Sequence, residues 1–144
     1  MRTELGYVRV AAARPRLQIG RVSWNVDNIL ALLATALEQE PDVVLFPELC
    51  LTGYTCADLF QQQALLHQAE DGLAKIVDQS RGHRSVVVVG LPAYAGPHLF
   101  NCGAVVHAGR ILGVVPKTYL PNYREYYEKR WFASARDAVG SEIV

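Results

Sequence analysis

Two stretches decide the reading of this chain: Val43-Val44-Leu45-Phe46-Pro47-Glu48 and, far downstream, Val114-Val115-Pro116-Lys117. Each is an apolar run too short for a helix that ends on one charged residue, the pattern of a buried strand that delivers a functional group at its carboxyl end. In open sheets with helical crossovers such ends converge on one crevice. A carboxylate and an ammonium can meet there, the first to take a proton and the second to steady an oxyanion.

Around these runs the periodicity sketches an α/β unit. Residues 7–12 alternate as a first strand, closed by Ala13-Arg14-Pro15 because proline offers no amide hydrogen to a ladder. Asn25 is read as the cap of a helix whose stripe is Ile29, Leu32, Leu33, Ala36 and Leu37, stopped by Pro41. Residues 43–46 read as a central strand covered on both faces. Residues 58–79 read as a second helix with Gly72 as its weak point, and residues 85–89 as another buried strand. After Gly90-Leu91-Pro92 and a loop holding Gly96-Pro97, residues 100–107 and 110–115 form two strands joined by Ala108-Gly109. Parallel crossovers and hairpins therefore coexist. The run 119–131 is aromatic, charged and irregular, and nothing from Ala133 onward carries a clear element.

Composition narrows the partners. Of 144 residues 51% are hydrophobic, enough for one core. Fourteen basic residues balance 14 acidic ones without a Lys/Arg cluster, which leaves no electrostatic footprint for nucleic acid or an anionic membrane. A small molecule or another protein is the expected partner. The opening Met1-Arg2-Thr3-Glu4-Leu5-Gly6 mixes charged and apolar residues, unlike a signal peptide, and no run approaches the roughly 18 apolar residues of a membrane span. Cys50, Cys56 and Cys102 form an odd set without CxxC spacing, so neither a disulfide framework nor a metal site is expected, and a reducing cytoplasm fits.

Each charged candidate has two readings. Glu48 either leaves the sheet for solvent or sits desolvated before Leu49, Leu51 and Thr52-Gly53-Tyr54, where burial would raise its pKa and suit it to proton abstraction. Lys117 either snorkels to water or is held by Pro116 and Thr118-Tyr119-Leu120-Pro121 as an oxyanion stabiliser. Glu125 is either a surface acid beside Arg124 or the group that holds the ammonium or a substrate.

Phe46-Pro47-Glu48-Leu49-Cys50-Leu51-Thr52-Gly53-Tyr54 and Pro116-Lys117-Thr118-Tyr119-Leu120-Pro121 resemble two motifs of the nitrilase, or carbon-nitrogen hydrolase, superfamily. Within it, residues 117–128 and Thr52-Gly53-Tyr54-Thr55-Cys56-Ala57-Asp58-Leu59 are similar to the amino-terminal glutaminase domain of the glutamine-dependent NAD synthetases. The resemblance implies the α/β fold of a nitrilase-type α-β-β-α sandwich, with roughly its first half present as a single, incomplete domain over 1–144. It implies a Glu-Lys-Cys triad with Glu48 as general base and Lys117 as oxyanion stabiliser. Glu125 would be the family's additional glutamate, and Tyr54 and Tyr123 would line a glutamine pocket. Glutamine is then the substrate, a cysteine thiolate the nucleophile, and a synthetase domain using ATP and magnesium the recipient of the ammonia. A homo-oligomer is implied for the parent protein, and no cofactor in this segment.

The resemblance places the nucleophile after a further buried strand well beyond Lys117. None of Cys50, Cys56 and Cys102 stands there, and no Ser-Gly-Gly phosphate loop occurs, so the expected chain ends before both thiol and synthetase domain. Two alternatives stay open: a stand-alone amidase or nitrilase of the same superfamily, and a non-catalytic binding module. A half-sandwich exposes sheet edges and an apolar face, so the isolated chain is expected to self-associate or to be weakly stable. A single monomeric peak in sizing chromatography together with cooperative unfolding would contradict that.

Overall fold

A stripe of Val22, Val26, Ile29, Leu33 and Leu37, spaced by three or four residues, makes one helix of residues Val22–Leu37, α1, and every member of the stripe is buried. The computed structural model describes residues 6–138; the start of the opening segment on which a signal peptide was excluded and the last six residues of the tail lie outside them. The helix begins before Asn25, which is not its cap. Asn25 is fully buried inside it, where Oδ1 accepts from the Gln18 amide at 2.7 Å and Nδ2 donates to the carbonyls of Gln18 and Leu51. A buried amide must be satisfied, and here it ties three segments together.

The strands are β1 (Val10–Ala12), β2 (Val43–Leu45), β3 (Val86–Ala95), β4 (His98–His107) and β5 (Arg110–Pro116), arranged in one sheet in the order β1-β2-β3-β4-β5. β1, β2 and β3 run parallel, whereas β3, β4 and β5 form antiparallel hairpins. β3 is longer than its apolar run predicts and continues through Pro92. Among the described residues, no residue of β2 pairs with it beyond Val88 and no backbone hydrogen bond reaches that side beyond Gly90, and a proline is tolerated where a strand has an open edge. Between Val105 and Val106 the β4–β5 register slips, so that Val105 faces Gly113 while Val106 faces Ile111, leaving Leu112 as an extra residue.

Residues 58–79 divide into a 3-10 turn, Ala57–Gln61, and the helix α2, Gln63–Gln79. Val44, Val87, Val89, Ala104 and Val106 point to one face of the sheet and join the buried residues of α1 and α2 in a single core. The opposite face carries Val10, Leu45 and Val115, which are 60%, 47% and 61% accessible. The expectation that β2 is covered on both faces therefore fails among the described residues, which build two layers, helices on one side of a sheet.

Gly72 is not a weak point of α2. It is where α2 meets α1, because a Cβ there would lie 2.6 Å from Val26 Cγ2 and 3.5 Å from Leu51 Cδ2. Alanine would gain about 1 kcal/mol of helix propensity at this position, whereas overpacking a filled contact costs about 1–3 kcal/mol. Gly72→Ala is accordingly expected to lower stability in urea unfolding. A rise in the midpoint would show that the helices yield.

Candidate active site

The carboxyl ends of β2 and β5 converge on the uncovered face of the sheet. After β2 the chain turns over β3: Phe46 donates its amide to Val88 O and Leu51 donates to Gly90 O. Gly90 makes the crossing possible, since a Cβ there would lie 2.3 Å from Leu49 N and 2.7 Å from Pro47 O. Leu49 adopts a left-handed φ of 49° and is fully buried with Cys50, Leu51 and Thr52, which anchors the loop and leaves Glu48 standing over the sheet. On the other side, Lys117 extends the ladder by donating its amide to Asn101 O at 2.8 Å.

The ammonium of Lys117 lies 2.6 Å from Glu48 Oε1 and 2.8 Å from Glu128 Oε1. Asn101 Nδ2 donates to the same Glu48 oxygen, and the Tyr54 hydroxyl donates to Glu128 Oε1 at 2.5 Å. Four side chains from three segments thus form one network around the lysine. The two carboxylates are not equivalent. Glu128 is only 2% accessible, with Oε2 buried and lacking a hydrogen-bond partner among the described residues. Removing one member of a buried pair costs about 3–5 kcal/mol, because a charge is left stranded. Glu48 remains 42% accessible, and pairs so exposed contribute about 0.2–1 kcal/mol. Glu128 is therefore the anchor, and Glu48 the more accessible of the two carboxylates. The desolvation expected for Glu48 is not found: the loop after β2 and the segment of Glu128 bury Asn101 and Glu128 but leave the Glu48 side chain 42% accessible.

Of the residues singled out in the sequence, Glu48, Lys117 and Tyr54 come together. Glu125 does not. It is exposed in the irregular segment, and the second glutamate on the lysine is Glu128, three residues on, in a 3-10 turn followed by the anchors Trp131 and Phe132. A carboxylate just before an aromatic pair that packs into the core is the one drawn inward, a signal that residues 125–132 contain. Tyr123 is 63% accessible and reaches the cluster through aromatic contacts, its ring 5.8 Å from Tyr126, which in turn meets Tyr54 at 6.4 Å edge to face. Asn101 was missed although a polar residue inside the apolar run Phe100-Asn101-Cys102 marks it.

A carbon-nitrogen hydrolase family model matches residues 9–142. The chain belongs to that family. Among curated carbon-nitrogen hydrolase relatives, the glutamine-dependent NAD(+) synthetase of Mycobacterium tuberculosis H37Rv is 40% identical over 128 residues, covering 89% of this chain and 19% of that protein. The enzyme of the same name from Aquifex aeolicus is 32% identical over 136 residues, 94% of this chain and 24% of the relative. The chain spans about a fifth to a quarter of the length of these relatives. The crystal structure of a glutamine-dependent NAD(+) synthetase from Cytophaga hutchinsonii superposes with a TM-score of 0.83 at 30% identity, over 88% of this chain and 22% of that one. An amidase from Nesterenkonia sp. superposes with a TM-score of 0.73 at 24% identity and shares the fold.

None of the three cysteines of this carbon-nitrogen hydrolase chain offers a nucleophile. Burial pushes the thiols of Cys50 and Cys102 up to about 12 and raises that of Cys56, while Cys56 Sγ is engaged by the carbonyls of Thr52 and Gly53. Among the described residues no group of three or more His, Cys, Asp or Glu side chains stands close enough to hold a metal ion.

Burial alone would lower the Lys117 pKa, but hydrogen bonds to Glu128 and Glu48 outweigh it and raise it above 10.5. The Tyr54 phenol is pushed well above 10.0 by burial first and then by the Glu128 carboxylate. Both groups hold their protons more tightly in the folded chain than in the unfolded one. The stability they contribute is complete below about pH 10 and disappears as pH rises through the folded-state values. The thermal midpoint is expected to fall above pH 10 in the wild type, and less steeply in Glu128→Gln. Equally steep profiles in the two proteins would dissolve the network.

Proposed function

We propose that this chain is the glutaminase-side portion of a glutamine-dependent NAD synthetase and supplies the acid-base and oxyanion groups for hydrolysis of the glutamine side-chain amide. The observation that carries this reading is the Lys117 ammonium held 2.6 Å from Glu48 and 2.8 Å from Glu128 on the accessible face of the sheet. The sequence relatives named for that activity support it.

Glu48 takes the proton of an attacking thiol, which adds to the amide carbon. The oxygen that gains charge is met by Lys117, already protonated and fixed, so little reorganisation accompanies the step. The proton on Glu48 then passes to the departing nitrogen, ammonia leaves, and water deprotonated by Glu48 releases glutamate from the thioester. The thiol is none of Cys50, Cys56 and Cys102. Glu128 orients Lys117 and Tyr54, while Tyr54 and Tyr123 flank the substrate; Glu125 takes no part. In the whole protein the ammonia passes to a synthetase domain that uses ATP and magnesium, in a cytoplasmic homo-oligomer.

Saturation-transfer NMR with the purified chain tests this reading. Glutamine is expected to bind weakly, with Kd on the order of millimolar, and Glu128→Gln or Tyr54→Phe to weaken it at least about fivefold, about 1 kcal/mol, the size of one lost hydrogen bond. Asparagine is expected not to compete. Ammonia release by the chain alone should be negligible. A folded chain blind to glutamine sinks the proposal, and sustained ammonia release abolished by Glu48→Gln would return the nucleophile to this chain.

A further inference from the structure

Away from the lysine, Asp58 forms a charged junction between distant parts of the chain. Its Oδ1 accepts from Arg130 Nε at 2.8 Å and from Trp131 Nε1 at 3.0 Å, and its Oδ2 accepts from Arg130 Nη2 at 2.9 Å. A two-pronged guanidinium-carboxylate pair with an indole on the same oxygen fixes direction as well as distance. Two residues further on, Phe60 is fully buried and packs its ring 4.8 Å from Phe132 and 6.0 Å from Trp131. The turn Ala57–Gln61 therefore grips the segment after Glu128 from outside by charge and from inside by aromatic packing.

That segment carries Glu128. The amides of Trp131 and Phe132 both donate to Glu128 O, at 3.1 and 2.9 Å, so a displacement of Arg130 or Trp131 is passed to the glutamate through one turn of backbone. Asp58 also follows closely on Tyr54, which donates to the Glu128 carboxylate. We propose that Asp58 is a positioning residue: by fastening Arg130 and Trp131 to the turn that follows the Glu48 loop, it sets where the Glu128 carboxylate stands against Lys117 and Tyr54. The proposal rests on the reading of Lys117 and Glu128 as parts of one site and adds a residue that touches neither.

The chain has three lysines, Lys75, Lys117 and Lys129, so 13Cε NMR resolves the Lys117 titration directly. The wild type is expected to titrate above 10.5 at Lys117. Asp58→Asn is expected to lower that midpoint by about half a pH unit or more, roughly a threefold change in proton affinity, with the far-ultraviolet circular dichroism unchanged. Arg130→Lys, which keeps the charge but loses the fork, should lower it by less and serves if Asp58→Asn does not fold. Glu128→Gln should lower it most. A midpoint unmoved in Asp58→Asn and Arg130→Lys but lowered in Glu128→Gln overturns the positioning role and leaves the site intact. A midpoint unmoved in Glu128→Gln removes the Lys117–Glu128 pairing itself, and both readings fall with it.

Discussion

One ammonium between two carboxylates organises this molecule. Lys117 stands just beyond the end of β5, Glu48 beyond the end of β2 and Glu128 in a short 3-10 turn of an otherwise irregular segment, and the one positive charge between them makes their meeting favourable. A buried glutamate without a cation would stay unpaired or protonated, so the position of the irregular segment follows from the charge it must satisfy. A sealed Glu128 and an accessible Glu48 make the pair asymmetric: one carboxylate keeps the ammonium in place, and the other faces outward.

The rest of the fold serves as delivery. Parallel pairing of β1, β2 and β3 brings the end of β2 beside Gly90, where the absence of a side chain lets the Glu48 loop lie on the sheet. Asn25, buried in α1, fastens the underside of the same loop through Leu51 O. The hairpins β3–β4 and β4–β5 carry Asn101 and Lys117 to neighbouring positions on the same face. Helices fill the other face, so core packing and chemistry occupy opposite sides of one sheet and place separate demands on the sequence.

Much of this was readable from residue pattern because it depends on period. The helix stripe, the short apolar strands and the charged residues that end two of them follow from local alternation and burial, and Glu48 and Lys117 were legible for that reason. What escaped depends on partners distant in the chain. Asn25 resembles a cap until its acceptors at Gln18 and Leu51 are known. Gly72 resembles a flaw until Val26 is seen above it. Pro92 reads as the end of a strand unless one side of β3 is known to be open. Glu125 and Glu128 share one irregular run, and only the aromatic anchors after the second separate them.

The slip between β4 and β5 turns a count of residues into a condition for chemistry. Side chains on a strand alternate between faces, so the side on which Lys117 emerges is set by whether an odd or an even number of residues separates it from the Ala108-Gly109 turn. Paired without interruption from His107 and Arg110, the strands would bring Lys117 opposite Phe100, among the core residues beneath the helices. The one extra residue, Leu112, reverses that parity and sets Lys117 opposite Asn101, on the side where Glu48 waits. An apolar side chain that touches none of these charged groups thus decides, by being counted, whether the lysine faces the core or the two carboxylates.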